Sequence, residues 1–203
     1  MGKEMELPLV SLIVRTKNRP ALLQDALQSI CEQTYPKIEI IVVNDGGDDV
    51  SEVIRSFDGV DVTFVVVQFP VNMGRSKAAN AGLDKATGDY IAFLDDDDWL
   101  EADHISTLVL AIKEHPEIMV VYSGVRCVDR DKKPLPDHFG APFDATLLLA
   151  GNYIPIHAAL FSKELLEFGC RVDESLAFYE DWDFWIQASM FTSFLFINEY
   201  SAV

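Results

Sequence analysis

Gly88-Asp89-Tyr90-Ile91-Ala92-Phe93-Leu94-Asp95-Asp96-Asp97-Asp98-Trp99 is the stretch whose reading decides the fold. Gly88 closes a helical pattern that begins near Arg75, and Gly is the residue a helix end favours. Tyr90–Leu94 is apolar without a break. Such a run is a strand buried on both faces, as in a parallel sheet covered by helices. Four carboxylates then follow at its carboxyl end.

The same alternation extends to either side. Upstream, Val10–Val14 reads as a buried strand, and Pro20 suits the first turn of a helix. Leu23, Leu27 and Ile30 carry that helix to Gln33 at helical spacing, and Tyr35-Pro36 stops it. Ile38–Val43 is a second strand, Asp45-Gly46-Gly47 a turn, Val50–Phe57 a short helix and Val62–Phe69 a third strand. Arg75–Ala86 is a helix with small residues on one side. Downstream, Ala102–His115 is a helix ended by Pro116. Ile118–Val128 contains strand-like runs, and Lys132–Pro142 reads as a polar loop. Ile156–Phe161 reads as a strand at the far side of the sheet, and Asp181–Met190 as a helix with Trp182, Trp185, Ile186 and Ser189 on one face. Strands alternating with helices predict an α/β fold with a mostly parallel sheet and helices on both faces. Ligands of such sheets bind beyond the carboxyl ends of the strands. A composition shift near Asp129 divides residues 1–203 into two lobes of one domain, about 9–128 and 129–203.

Composition narrows the function. The 203 residues carry a formal net charge of −17, with 49% hydrophobic and 24% charged residues. So acidic a surface repels nucleic acid and anionic membranes alike. A phosphorylated small molecule needs a cation or local basic groups to bind. Cys31, Cys127 and Cys170 show no pairing pattern, which points to a reducing compartment and no zinc site. Met1–Pro8 lacks the apolar run of a signal peptide, and no run is long enough to span a membrane. A cytoplasmic location follows, with any membrane association coming through an acceptor or a segment outside this stretch.

Four clusters carry candidate chemistry. In the first, the acids at the mouth of a buried strand repel one another, and a divalent cation relieves that repulsion. Oxygen donors suit Mg²⁺ or Mn²⁺, and on an extended segment Asp95 and Asp97 point the same way. Asp98 and Glu101 are read instead as complements to the dipole of the next helix. A calcium loop fits poorly, since the sixth position from Asp95 is Leu100 and the twelfth Ser106. In the second, Asp45 ends the second strand, where it can bond a base or ribose, although Asp-Gly is also an ordinary turn pair. The third is Asn72-Met73-Gly74-Arg75-Ser76-Lys77-Ala78-Ala79-Asn80, in which Gly74 permits close backbone approach and Arg75 and Lys77 bring positive charge. Surface charges on an amphipathic helix read the same way. The fourth is Phe178-Tyr179-Glu180-Asp181-Trp182-Asp183-Phe184-Trp185. Acids at a helix start are common caps, and position alone favours that reading. Carboxylates among aromatics also suit a general base. The dinucleotide, P-loop, zinc-protease and serine-hydrolase signatures are absent. His104 and His115 read as surface residues of a helix, and His157 as a satisfied core histidine.

Taken together, Thr16-Lys17-Asn18-Arg19, Val43-Asn44-Asp45-Gly46, Asn72 with Gly74 and Asn80, Gly88 through Asp97, and Glu180-Asp181 resemble glycosyltransferase family 2, over about Leu9–Met190. The resemblance implies a GT-A fold and inverting sugar transfer from a nucleoside diphosphate sugar, UDP by default, to a saccharide or lipid-linked acceptor. It implies that the loop from Thr16 through Asn18 and Arg19 lines the nucleotide and that Asp45 bonds the base. Asn72, Gly74, Arg75 and Lys77 would lie near the diphosphate, Asp95 and Asp96 near ribose and diphosphate. Asp97, with Asp95, would hold Mn²⁺ or Mg²⁺, and Asp181, with Glu180 beside it, would be the base. Arg15 and Lys17 stand where the family often has Pro and an aromatic, and Ala79 where it often has Arg. No Q-x-x-R-W element occurs, which implies single transfers. The family's closing loop would fall beyond Val203, which implies a domain cut short at its carboxyl end. Two other readings remain open. A nucleotide-sugar binding module would have no use for Asp181, and a sugar-phosphate nucleotidyltransferase would need glycines in the Arg15–Pro20 loop.

Overall fold

The computed structural model describes residues 6–129 and 131–203. The first five residues, part of the segment read above for a signal peptide, and Arg130 lie outside the described residues.

The strands are β1 (Val10–Thr16), β2 (Ile38–Asn44), β3 (Thr63–Gln68), β4 (Tyr90–Asp95), β5 (Val120–Val128), β6 (Pro134–Phe139), β7 (Ala159–Ser162) and β8 (Phe194–Ala202). The helices are α1 (Pro20–Cys31), α2 (Ser51–Arg55), α3 (Arg75–Lys85), α4 (His104–Glu114), α5 (Ala145–Ala150), α6 (Glu164–Glu167) and α7 (Glu180–Ser189). All the strands join one eight-stranded sheet ordered β3-β2-β1-β4-β7-β5-β6, with β8 also on β5. The run β3-β2-β1-β4 is parallel throughout. β7 pairs antiparallel with both β4 and β5, while β8 runs parallel to β5.

Alternation along the strands builds two cores. Leu12, Val14, Ile40 and Val42 face α1 and α4 on one side. Ile13, Ile41, Val43 and Phe93 face α3 and α7 on the other. Each such side chain, fully withdrawn from water, contributes about 1.5–3 kcal/mol. The small-residue side of α3 has its reason here: a Cβ on Gly82 would stand 2.3 Å from Ile13 Cγ2, so only glycine lets the helix approach β1 this closely.

The sequence reading needs correction in the second half. Lys132–Pro142 is not a loop throughout, because Pro134–Phe139 pairs with β5 as an edge strand. All six of its residues are exposed, so Leu135 and Phe139 mark no buried face, and its prolines are tolerated because it lies at the edge. β7 does not lie at the far side of the sheet but between β4 and β5, and Ile156–Ala158 before it is a 3₁₀ turn. α5, α6 and β8 were not anticipated. The buried face of α7 is Glu180, Phe184, Trp185 and Ala188, with Trp182 only half-buried.

Candidate active site

Parallel register brings the carboxyl ends of β1, β2 and β4 to one edge. Thr16 lies opposite Asn44, and Arg15 opposite Asp95. Beyond them opens a cleft of about 280 Å³ lined by Arg15, Thr16, Lys17, Arg19, Asp45, Arg75, Ala78, Asp95 and Asp97. A larger groove, near Lys37, Asp89 and Lys163, lies at the opposite ends of the same strands and gathers no comparable set of acids and arginines.

The acidic run is compensated in part within the protein itself. Three arginines offset it. Arg15, 6% exposed, donates from Nε and Nη2 to Asp95 Oδ1 at 2.9 and 2.6 Å. Its Nη1 donates to Glu180 Oε1 at 3.3 Å. Arg75 pairs with the same Glu180 oxygen and lies 3.8 Å from Asp95 Oδ2. Arg19 pairs with Asp96 and, at 2.9 Å, with Asp97. Arg15 therefore ties β4 to the start of α7, whose Glu180 lies 165 residues after Arg15 in the chain.

The four acids of the run face different ways. Asp95 and Asp97 line the cleft. Asp96 is turned inward, 1% exposed, and accepts from Thr16 Oγ1 at 2.7 Å. Burial pushes its carboxyl above the ordinary value, against the pull of Thr16 and Arg19. Asp98 does not serve the next helix, since α4 begins only at His104 and has no acid in its first turn. It lies 3.2 Å from Nδ1 of His157 instead. Burial, together with the charges of Asp95, Asp97 and Asp96, pushes Asp98 up to about 7. Burial pulls His157 down to about 4. Glu101, also assigned to the dipole, pairs with Arg126. His104 is not a surface residue: it is fully buried, with Nδ1 2.8 Å from Ser201 Oγ. Its side of α4 faces β8, an element the sequence reading lacked. His157 is buried as expected, but its Nε2 has no partner among the described residues.

Asp45 accepts from the backbone N–H of Met73 at 2.6 Å and of Gly74 at 3.0 Å, which fixes the loop leading into α3. The turn after Asp45 requires Gly46, at φ +72°, because a Cβ there would stand 2.2 Å from Asn72 N. Asn72 Oδ1 accepts from Gly74 N, and Asn18 Oδ1 accepts from Asp48 N. Asn18, Asn72 and Gly74 thus shape the loops around the cleft without lining it. Lys77 lines a neighbouring depression with Met73, Glu174 and Leu176. Ser76 and Asn80 hold the segment before α7 through Leu176 O and Val172 O. Asp181 stands in the first turn of α7. Its Oδ2 accepts from Asn152 Nδ2 at 2.8 Å, beside the buried Glu180. Tyr179 precedes the helix in the left-handed region at φ 63°. Sequence reasoning missed Arg15 as a site residue, and its signal was the lone charged residue of the buried strand β1.

Hard oxygen donors on the cleft wall fit Mg²⁺ or Mn²⁺. Among the described residues no group of three or more His, Cys, Asp or Glu side chains could hold an ion. Asp95 and Asp97 would supply two carboxylates at most, so any ion held there would take its remaining ligands from phosphate and water, as is usual for Mg²⁺.

Comparison with known proteins gives the family and the fold. "Glycosyltransferase GlyA" of Streptococcus pneumoniae is 40% identical over 107 residues, 52% of this chain and 15% of that protein. An "Uncharacterized glycosyltransferase" of Haemophilus influenzae is 31% identical over 181 residues, 87% of this chain and 72% of that protein. Among solved structures, Staphylococcus aureus TarS in complex with UDP-GlcNAc superposes with a TM-score of 0.79 at 20% identity, covering 96% of this chain and 57% of that one. The mannosyltransferase PcManGT from Pyrobaculum calidifontis, in complex with GDP-Man and Mn²⁺, gives 0.71 at 23%, covering 98% and 57%. The fold is GT-A. The chain thus spans little more than half of these structures. The Glycosyl transferase family 2 profile matches residues 11–168, and the chain belongs to that family.

Proposed function

We propose that this chain transfers a glycosyl group from a nucleoside diphosphate sugar, a UDP-sugar by default, to an acceptor hydroxyl with inversion. The observation that carries this reading is the cleft where Asp45, Asp95 and Asp97 meet Arg15, Arg19 and Arg75, with Glu180 joined to it through Arg15. Family membership supports it. So do the bound ligands of the two solved relatives, which are nucleotide sugars.

Asp45 and the Thr16–Arg19 loop hold the nucleoside end, and Arg75, with Arg19, faces the diphosphate. Asp97 and Asp95 would hold Mn²⁺ or Mg²⁺, which stabilises negative charge on a leaving diphosphate. The acceptor oxygen attacks the anomeric carbon from the face opposite the diphosphate. Its proton passes to the Asp181 carboxylate as the bond from carbon to phosphate oxygen breaks, and the diphosphate departs with that electron pair. Asn152 fixes the Asp181 carboxylate. Residues 129–203 carry the acceptor, a saccharide or a lipid-linked one. No described helix is long and apolar enough to cross a membrane.

Diphosphate release from a donor panel with saccharide acceptors tests this. Asp181→Asn should keep donor affinity and lower turnover about 10²–10⁴-fold, the weight of a general base. Full turnover in that variant removes Asp181 from the role. Donor binding by the unaltered chain with no release on any acceptor favours a binding module.

A further inference from the structure

The proposed reading needs the Asp97 carboxylate to face the cleft, and this depends on how the turn after β4 is held. Asp95 is fixed by Arg15, Asp96 by Thr16 and Arg19, and Asp97 only by the half-exposed Arg19, at 2.9 Å. Asp98 N–H closes the turn on Asp95 O at 3.1 Å. Just beyond, Trp99 and Val203 exchange backbone hydrogen bonds, and Glu101 N–H donates to Ser201 O. Between these anchors, the one side chain among the described residues in polar contact with the Asp98 carboxylate is His157, with Nδ1 3.2 Å from Oδ2.

We propose that His157 is a positioning residue, which reaches the acidic turn from the second half of the chain and, by fixing Asp98, keeps Asp97 toward the cleft. The topology makes this contact. β7 runs antiparallel to β4, with Ala92 opposite Leu160, so the 3₁₀ turn before β7 lies beside the acidic end of β4. His157 is 9% exposed, and its Nε2 and that of His104 lack partners among the described residues. An apolar side chain would meet no such desolvation cost, so packing does not account for an imidazole here. The Asp98 contact does. The side chain of Asp98 is 30% exposed and that of Asp97 52%, so drawing Asp98 inward leaves Asp97 outward. The inference rests on the proposed site only for its consequence. The fixing of the turn is a property of the ligand-free chain.

Two readouts test it on His157→Leu, His157→Asn and His157→Gln, each checked for a native melting transition. The amide nitrogen of Asn stands where Nδ1 stands, whereas that of Gln stands where Nε2 does. In ligand-free amide spectra, His157→Leu and His157→Gln should shift or broaden Asp95–Trp99 and leave the core of β1 and β2 in place, and His157→Asn should restore the native pattern. In calorimetric titrations of UDP with Mn²⁺, His157→Leu should lose about 10- to 100-fold in affinity, as supporting residues behind metal ligands do, and His157→Asn should recover it. Unchanged Asp95–Trp99 amides in His157→Leu overturn the proposal. Should His157→Leu fail to fold, equal behaviour of the Asn and Gln variants overturns it. If the unaltered chain binds no nucleotide with Mn²⁺, the functional reading fails, and the amide spectra still decide the positioning role.

Discussion

Replacing Arg15 by Met keeps the length of the side chain and removes the charge that joins Asp95 to Glu180. Breaking a buried ion pair by removing one partner costs about 3–5 kcal/mol. Asp95 is a quarter exposed and Glu180 1% exposed, so water relieves the first carboxylate and not the second. The Asp95 contacts are the closer, at 2.6 and 2.9 Å, and the Glu180 contact is a single one at 3.3 Å. Arg75 still reaches Glu180. The loss should therefore fall at the lower end, about 3 kcal/mol. Glu180→Gln keeps the shape and removes the charge, so Arg15→Met in that background should cost about 1–2 kcal/mol less, within the range for coupled neighbours. Urea unfolding followed by tryptophan fluorescence, over the four members of the cycle, gives the coupling directly. Additivity within about 0.5 kcal/mol would mean that Arg15 does not join the two carboxylates, and the link between β4 and α7 would have to be sought elsewhere.

Glu39 is another buried carboxylate. Burial raises it, but donors from Ser11, Thr87 and Gly88 together hold it below the ordinary glutamate value. Its stabilisation is present above the unfolded value of about 4.3 and is lost as pH falls through the lower folded value. Glu39→Gln should cost about 1.5–3 kcal/mol at pH 7 and progressively less in acid, which urea titrations at pH 7 and pH 3 would show. His104 gives the same sign for a different reason, since there it is the neutral form that burial favours. Burial pulls it from 6.5 down to about 3, so only the unfolded chain takes up its proton between those values. Stability is full above about pH 6.5 and falls below it. Between pH 7 and pH 5 the native protein should lose about 2 kcal/mol more than His104→Asn, and equal losses by urea unfolding would refute the assignment.

The first half of the fold was legible because each element carries its own signal. Ile38–Val43 and Tyr90–Leu94 are apolar without a break, Pro20 and Gly88 punctuate the helices, and the parallel order follows from their alternation. β6 was not legible, since an exposed edge strand with prolines has the composition of a loop and is made a strand only by β5. β7 was read as a strand and misplaced, because nothing local says that a chain segment inserts between two others. The site shows the same division. The acidic run and Asp45 stand out by composition at strand ends. What holds them does not, because Arg15, His157 and Glu180 meet Asp95 and Asp98 only through sheet register and the docking of α7. Asp98 and Glu101 were misread for that reason. A helix start and a partner across the sheet look alike until the partner is seen.

A crystal grown with Mn²⁺ and UDP, with data collected at the manganese absorption edge, bears most directly on the proposed site. The expected result is one anomalous peak bonded to the Asp97 carboxylate and to UDP phosphate oxygens, with the uracil beside Asp45 and the Thr16–Arg19 loop. Manganese and nucleotide bound elsewhere, for example in the groove near Lys37 and Lys163, would contradict it.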